Sequence, residues 1–260
     1  KENNPDRVIY LADARQSMHF IQVFRCARKT GIVPDTTELV HIGFGTMNGK
    51  DGKPFKTRDG GVMRLEYLLK EIDDEMLNKI KENQKEKENL NIDEAEAEQT
   101  AKTVALAAVK YGDLSNQASK DYIFDIDRFT SFEGNTGPYI LYTIVRIKSI
   151  LSKYEANGGD ISALKDAIMP AVNAGQKNLM LSLAKFNATI ESAYEESAPH
   201  KICAYIYELA NAFNGFYHDT KILSEENEEL KKSYISLLVL TKEILEACID
   251  MLGFSAPDRM

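Results

Sequence analysis

Residues 43–61 concentrate the residue types that bind phosphate groups. This stretch contains six glycines and four cations, Lys50, Lys53, Lys56 and Arg58, within nineteen residues. Glycine lets backbone N–H groups approach an anion closely, and lysine or arginine side chains neutralise its charge. The spacing fits neither a Walker phosphate loop nor the dinucleotide-binding pattern GxGxxG. The stretch therefore predicts a binding loop for a triphosphate or for the phosphates of a polynucleotide.

Three predicted elements precede this loop: a strand at 7–12 that reads as buried on both faces, a helix at 18–29, and a strand at 39–42. The order strand–helix–strand is the unit of a parallel α/β sheet. Ligands of such sheets lie beyond the carboxyl ends of the strands. We therefore expect Gln16 and residues 41–45 to lie at the binding edge, with Asp13 ordering the turn.

From about residue 62 onward, apolar residues recur at helical spacing. Helices are predicted at about 62–80, 95–111, 136–154, 161–175 with an interruption near Pro170, 177–195, and along two long periodic segments in 202–217 and 230–252. The predicted fold class is α/β followed by all-α, with domains at 1–134 and 135–260. Two clear strands are few for a parallel sheet, so the first domain is expected to be the later part of a larger nucleotide-binding domain.

The net charge is −8, but residues 71–98 carry −7 of it, with eleven acids against four lysines. The remaining surface carries about −1 and can still present a basic face to phosphate. The cysteines, Cys26, Cys203 and Cys248, lie far apart in apolar patterns, which predicts buried reduced thiols and no metal site. No apolar run approaches the roughly 20 residues that span a bilayer. These features predict a cytoplasmic protein without a membrane segment.

Several motifs resemble the later catalytic domain of arginyl-tRNA synthetases, which are class I aminoacyl-tRNA synthetases. They are VIYLADARQ (8–16), HIGFG (41–45), FKTRDGG (55–61), FDIDRF (124–129) and SFEGNTGPY (131–139). The segments ELANAFNGFY (208–217) and LGFSAPDRM (252–260) are similar to the helical anticodon-binding domain of that family. The resemblance covers nearly the whole chain and implies the C-terminal part of a Rossmann-like catalytic domain followed by a helical anticodon-binding domain.

The resemblance implies roles at the strand edge and in the loop. Gln16 matches a glutamine that binds the arginine substrate, and the positions that match the ATP-binding strand and turn are His41, Gly43, Phe44 and Gly45. The positions that match the mobile KMSKS loop, which stabilises charge on the phosphates of ATP, are Lys53, Lys56, Thr57 and Arg58. The usual lysines of that loop are not in register, so the cation that meets the pyrophosphate stays open.

The resemblance also implies tRNA contacts in the second domain. The candidate residues are Asn135, Tyr139, Tyr142, Arg146, Tyr234, Arg259 and Met260. Arginine can pair with phosphate and tyrosine can stack on an unpaired base. The alternative is that Tyr139 or Tyr142 lies in the core. The aromatic residues that recur along the helical segment containing Tyr217 are predicted to lie mainly in the core.

The His-Ile-Gly-His and Tyr-x-x-x-Asp elements of the family do not occur in the chain. The resemblance therefore implies that the 260-residue chain is part of an arginine–tRNA ligase and is inactive alone. The intact enzyme is expected to be a monomer that uses L-arginine, ATP with Mg²⁺, and tRNA(Arg), with no tightly bound cofactor. The alternatives are a non-catalytic tRNA-binding module, another class I synthetase, or a helical protein–protein scaffold.

Overall fold

The computed structural model describes residues 3–53, 64–86, 93–164 and 167–260. Its elements in chain order are β1 (Arg7–Asp13), α1 (Ser17–Lys29), β2 (Glu38–Phe44), β3 (Met47–Asn48), α2 (Leu65–Glu86), α3 (Glu94–Leu114), β4 (Tyr122–Ile123), α4 (Ile126–Phe129), α5 (Gly137–Ala156), α6 (Ala174–Ala184), α7 (Phe186–Glu195), α8 (Pro199–Asp219) and α9 (Glu228–Met251). The chain divides into two compact units, 1–63 with 116–125 and 64–115 with 126–260. The functional boundary predicted between residues 134 and 135 stays a prediction.

The first unit contains the predicted parallel pair of strands. β1 and β2 pair in register from Arg7 opposite Glu38 to Asp13 opposite Phe44. Parallel neighbours need a long crossover connection, and α1 provides it. The carboxyl ends of both strands therefore lie side by side, as expected from the strand–helix–strand order.

A second parallel pair joins β3 to β4, with Met47 opposite Tyr122 and Asn48 opposite Ile123. Residues 116–125 stand between α3 and α4 in the sequence, yet they pack within the first unit. The polar and aromatic pattern of residues 121–133 predicts either a strand or a loop. The structure forms both β4 and the short helix α4 there, and β4 pairs with a strand more than seventy residues earlier.

The prediction that the first strand is buried on both faces is wrong for this chain. Ile9 and Leu11 are 47% and 71% exposed, and they share one face because strand side chains alternate. On the other face, Tyr10 contacts Phe20 and Phe24 of α1 at ring-centroid distances of 5.2 and 5.6 Å. A parallel strand is buried on both faces only when other elements cover both, and among the described residues α1 covers one.

The second unit is helical, and its core follows the predicted periodicity. The fully buried large side chains include Ile140, Ile144 and Ile147 of α5, Leu209, Phe213 and Phe216 of α8, and Leu238, Leu245 and Ile249 of α9. A side chain at Gly137 would place its Cβ 2.3 Å from the carbonyl oxygen of Ala107. Glycine at the start of α5 therefore permits the close approach to α3.

Two helix predictions in this unit are wrong. Among the described residues of 161–173, a 3-10 turn forms at Ser162–Leu164 and residues 167–173 form no helix. Pro170 fixes its own φ and disfavours helical backbone in the residue before it, and the side chain of Asn173 then caps α6 by accepting from Gln176 N. The single helix expected at 177–195 is divided at Lys185 into α6 and α7.

Two of the three cysteines follow the prediction of buried thiols. Burial raises the pKa of Cys203 and of Cys248 to about 12. Cys26 is exposed, so the prediction is wrong for that residue. Helix α1 covers one face of a two-stranded sheet, which leaves its outer residues in solvent. No helix among the described residues is long and apolar enough to span a membrane.

Candidate functional site

The turn after β1 is ordered by Asp13, as predicted. Its carboxylate accepts from Arg15 N at 2.8 Å and from the Arg15 guanidinium at 2.8 and 2.6 Å. These hydrogen bonds lower the pKa of Asp13 to about 2. Gln16 follows this turn and is exposed at the N-terminus of α1, where its side chain does not cap the helix within the described structure. The amide of Gln16 is therefore presented to solvent at the strand edge.

His41 lies in the middle of β2 and is oriented by packing. Its ring stacks on Phe20 at a centroid distance of 4.5 Å and an interplanar angle of 15°. The Nε2 atom of His41 is buried and has no hydrogen-bond partner among the described residues. A buried imidazole nitrogen without a partner is unfavourable. The Nε2 atom of His41 is therefore available for a hydrogen bond to a ligand.

Two glycines bring the end of β2 into close contact with neighbouring backbone. A Cβ at Gly43 would lie 2.8 Å from Ala14 Cα, and one at Gly45 would lie 2.4 Å from the carbonyl carbon of Lys120. Phe44 between them is 45% exposed. The turn therefore has little room for side chains at 43 and 45 and leaves the aromatic ring of residue 44 accessible.

Lys53 ends the described part of the basic loop and is exposed. Its carbonyl oxygen accepts from Gly49 N at 2.8 Å, and its own N–H donates to Asp51 Oδ1 at 3.1 Å, which closes a tight turn. Nearby, Lys50 forms an ion pair with Asp125 at 3.0 Å. The other predicted loop residues, Lys56, Thr57 and Arg58, lie outside the described residues.

A separate set of polar and aromatic side chains lies where α5 meets α8. We name it the α5–α8 polar cluster, and its members are Tyr139, Tyr142, Arg146, Asn211, Asn214 and Tyr217. The Tyr139 hydroxyl donates to Asn211 Oδ1 at 2.7 Å and accepts from Asn214 Nδ2 at 2.9 Å. Tyr139 is therefore held by two hydrogen bonds from the same helix.

Arg146 is the cation of this cluster. Its Nη1 donates to Asn214 Oδ1 at 2.7 Å. Its guanidinium carbon also lies 4.7 Å from the centroid of Tyr142 and 5.5 Å from that of Tyr217. The contacts with two aromatic rings and the hydrogen bond to Asn214 together hold the guanidinium in one orientation. The side chains are partly exposed, so a partner can reach them.

The remaining predicted tRNA-binding residues lie elsewhere. Asn135 is exposed, with its Oδ1 2.5 Å from the hydroxyl of buried Tyr111. Arg259 forms a bidentate ion pair with Glu96, both contacts at 3.0 Å. Met260 follows it and is half-buried.

The expectation that Tyr234 contacts tRNA is contradicted by its burial. Tyr234 is 2% exposed, and its ring packs edge-on against Phe216 at 5.3 Å. Burial raises the pKa of its hydroxyl. A base cannot stack on a ring inside the helical core. We therefore exclude Tyr234 from the proposed tRNA-binding residues.

Comparisons with known proteins cover both units. The family model described as tRNA synthetases class I (R), catalytic domain, matches residues 1–126, and the model of the DALR anticodon binding domain matches residues 140–260. The arginine–tRNA ligase of Alkaliphilus oremlandii is 54% identical over all 260 residues, and that of Francisella tularensis is 43% identical over 262 aligned positions. The chain belongs to the arginyl-tRNA synthetase family. It spans 43% of the length of these two relatives.

Solved structures of arginyl-tRNA synthetases share this fold. The enzyme from Plasmodium falciparum superimposes with a TM-score of 0.81 at 27% identity, covering 100% of this chain and 42% of that one. The enzyme from Thermus thermophilus gives 0.80 at 24% identity over 98% and 41%, which shows likeness of fold. The predicted fold class, part of a class I catalytic domain followed by a helical anticodon-binding domain, is confirmed.

Within this arginyl-tRNA synthetase chain, the structure brings together only some of the predicted site residues. Gln16 and Gly43–Gly45 share the strand edge, and Tyr139, Tyr142 and Arg146 share the α5–α8 polar cluster. Asn211 and Asn214 are not among the residues predicted from the sequence. A signal was present, because Tyr207, Asn211, Asn214 and His218 recur at spacings of four, three and four residues and form a polar stripe beside the apolar face of α8.

Proposed function

We propose that the complete protein containing this chain is an arginine–tRNA ligase. It joins L-arginine to ATP with release of pyrophosphate and then transfers the arginyl group to the 3′ end of tRNA(Arg). The observation that carries this proposal is the parallel register of β1 and β2, which puts Gln16 and the glycine turn at one sheet edge. The relatives named arginine–tRNA ligases support it. The protein is proposed to act in the cytoplasm as a monomer.

Gln16 is the proposed arginine ligand in this chain. A side-chain amide can accept from a guanidinium or donate to a carboxylate, so it suits both ends of the substrate. Its exposure and the absence of a described helix-capping contact leave that amide available. Asp13 and Arg15 hold the turn that presents it.

The proposed ATP-binding residues are His41, Gly43, Phe44 and Gly45. Small residues at 43 and 45 let a nucleoside approach the backbone closely, and exposed Phe44 offers an apolar surface. Lys53, Lys56, Thr57 and Arg58 are proposed to stabilise the negative charge that develops on the phosphates. Mg²⁺ enters with the triphosphate, because proteins commonly bind it through substrate phosphates. No group of three potential metal ligands occurs among the described residues.

The α5–α8 polar cluster is proposed to bind tRNA. Arg146 can pair with phosphate while Tyr139 and Tyr142 offer faces for stacking. Asn135 and Met260 are also proposed to contact tRNA. Arg259 is also proposed, and a phosphate would have to replace Glu96 as its partner.

The test is arginine-dependent exchange of labelled pyrophosphate into ATP by the complete reading frame that encodes this chain, followed by aminoacylation of tRNA(Arg). We expect both reactions, and neither from the 260 residues alone. The isolated chain should bind tRNA(Arg) with an affinity that falls steeply with salt. Binding of tRNA without exchange by the complete protein would instead identify a non-catalytic tRNA-binding module.

A further inference from the structure

Asp121 holds the turn at the end of β2 through two short hydrogen bonds. Its Oδ1 accepts from Thr46 N at 2.6 Å and from Thr46 Oγ1 at 2.7 Å. Thr46 directly follows the glycine turn to which we assign ATP binding. A single carboxylate oxygen therefore fixes both the backbone and the side chain of the first residue beyond that turn.

The segment around Asp121 makes further backbone contacts with the same turn. Gly45 N donates to Ala118 O at 2.9 Å, and Tyr122 N donates to Thr46 O at 3.1 Å. The backbone of Lys120 lies so close to Gly45 that a Cβ there would be 2.4 Å from its carbonyl carbon. Residues 118–122 thus pack against the turn, and the Asp121 side chain helps to hold the two together.

Asp121 is ionised and lies beside another charged pair. Its pKa is lowered chiefly by the hydrogen bond from Thr46 N, then by that from Thr46 Oγ1. Arg15 attracts the carboxylate and Asp13 repels it, so the ends of both strands contribute to its surroundings. The turn after β1 has its own internal hydrogen bonds between Asp13 and Arg15.

We propose that Asp121 is a positioning residue for the nucleotide side of the active site. It keeps the glycine turn and Thr46 in the conformation that receives ATP, and it leaves the arginine side at Gln16 unaffected. This inference rests on the proposed arginine–tRNA ligase activity. Loss of the carboxylate should therefore weaken ATP binding selectively.

The experiment measures KM for ATP and for arginine by pyrophosphate exchange with the complete reading frame and four variants. Asp121→Ala removes both hydrogen bonds to Thr46 and should raise KM for ATP about tenfold, with KM for arginine changed less than about twofold. Thr46→Val should give a smaller rise in KM for ATP, whereas Thr46→Ser, which keeps the hydroxyl, should have the wild-type KM. Asp160→Ala is the matched control, because Asp160 similarly accepts from Ser162 N and Ser162 Oγ, and it should change neither KM.

Equal rises in both KM values, or an unchanged KM for ATP in Asp121→Ala, would overturn the proposal. If Asp121→Ala does not fold, the comparison of Thr46→Val with Thr46→Ser decides in the same way.

Amide hydrogen exchange on the 260-residue chain gives a second measurement. Gly45 and Thr46 should exchange faster in Asp121→Asn while the β1–β2 amides stay unchanged, and equal acceleration throughout the sheet would contradict a local role. A wild-type protein without pyrophosphate exchange would refute the proposed function, and this inference with it.

Discussion

Arg146 and Asn214 are 68 residues apart in the chain and are joined by a hydrogen bond of 2.7 Å from the guanidinium Nη1 to the amide Oδ1. The same amide group donates to the Tyr139 hydroxyl at 2.9 Å. One asparagine on α8 therefore orients both a cation and an aromatic ring on α5. A binding surface whose side chains are held before the partner arrives loses less conformational entropy when it binds.

Replacement of Arg146 should weaken tRNA binding through the loss of one phosphate contact. We expect Arg146→Gln to reduce the affinity for tRNA(Arg) and to lower the slope of log K against log salt by about one. Fluorescence anisotropy between 50 and 200 mM salt measures both quantities. Lys153→Gln removes an exposed cation from the same helix and is the matched control. A slope that is equal in Arg146→Gln and wild type would contradict the phosphate contact.

Asn214 should act on tRNA through Arg146 and Tyr139. We expect Asn214→Ala to weaken tRNA binding by up to about tenfold. This factor corresponds to the free energy of about one hydrogen bond that orients the binding side chains. In a double-mutant cycle, Asn214→Ala should cost less when Arg146→Gln is already present. Fully additive losses of binding free energy would show that the two residues act independently.

Tyr234 should contribute to stability and not to tRNA binding. Because the ring is buried in the core, Tyr234→Ala should lower the free energy of unfolding by about 3 to 5 kcal/mol. Urea unfolding measures this change, and Tyr194→Ala, at a position that is 73% exposed, should have little effect. Tyr234→Phe keeps the packing, and its affinity for tRNA(Arg) should equal that of wild type. A clear loss of affinity for tRNA(Arg) in Tyr234→Phe would contradict this prediction and show that the Tyr234 hydroxyl contributes to binding.

The Asp13–Arg15 pair should give a pH dependence that appears only in acid. The pKa of Asp13 is lowered from 3.8 to about 2 by the Arg15 hydrogen bonds, so the stabilisation is present above pH 4 and is lost as pH falls through 2. The carboxyl carbon shift of Asp13 should titrate with a midpoint of about 2. In Arg15→Gln the midpoint should rise towards 3.8, whereas Arg25→Gln on α1 should leave it unchanged.

The strand–helix–strand unit and the long helices could be predicted from sequence because they depend on local patterns. Apolar runs of strand length and apolar residues at helical spacing correctly located β1, β2, α5, α8 and α9. The helix predicted at 161–175 is wrong because Pro170 opposes the helical backbone that the apolar spacing favours. The periodic pattern of α9 already contained Tyr234 on its apolar face, and its burial follows from that pattern.

The amino-acid sequence by itself determined the family, the secondary-structure order, and the presence of a phosphate-binding composition at residues 43–61. Only the tertiary structure decided that β4 pairs with β3, that Asp121 holds Thr46, and that Asn214 orients Arg146. These contacts join residues about 70 positions apart. Periodicity reports which face of an element is apolar, but contacts between polar side chains depend on the register in which two elements pack, which no local pattern encodes.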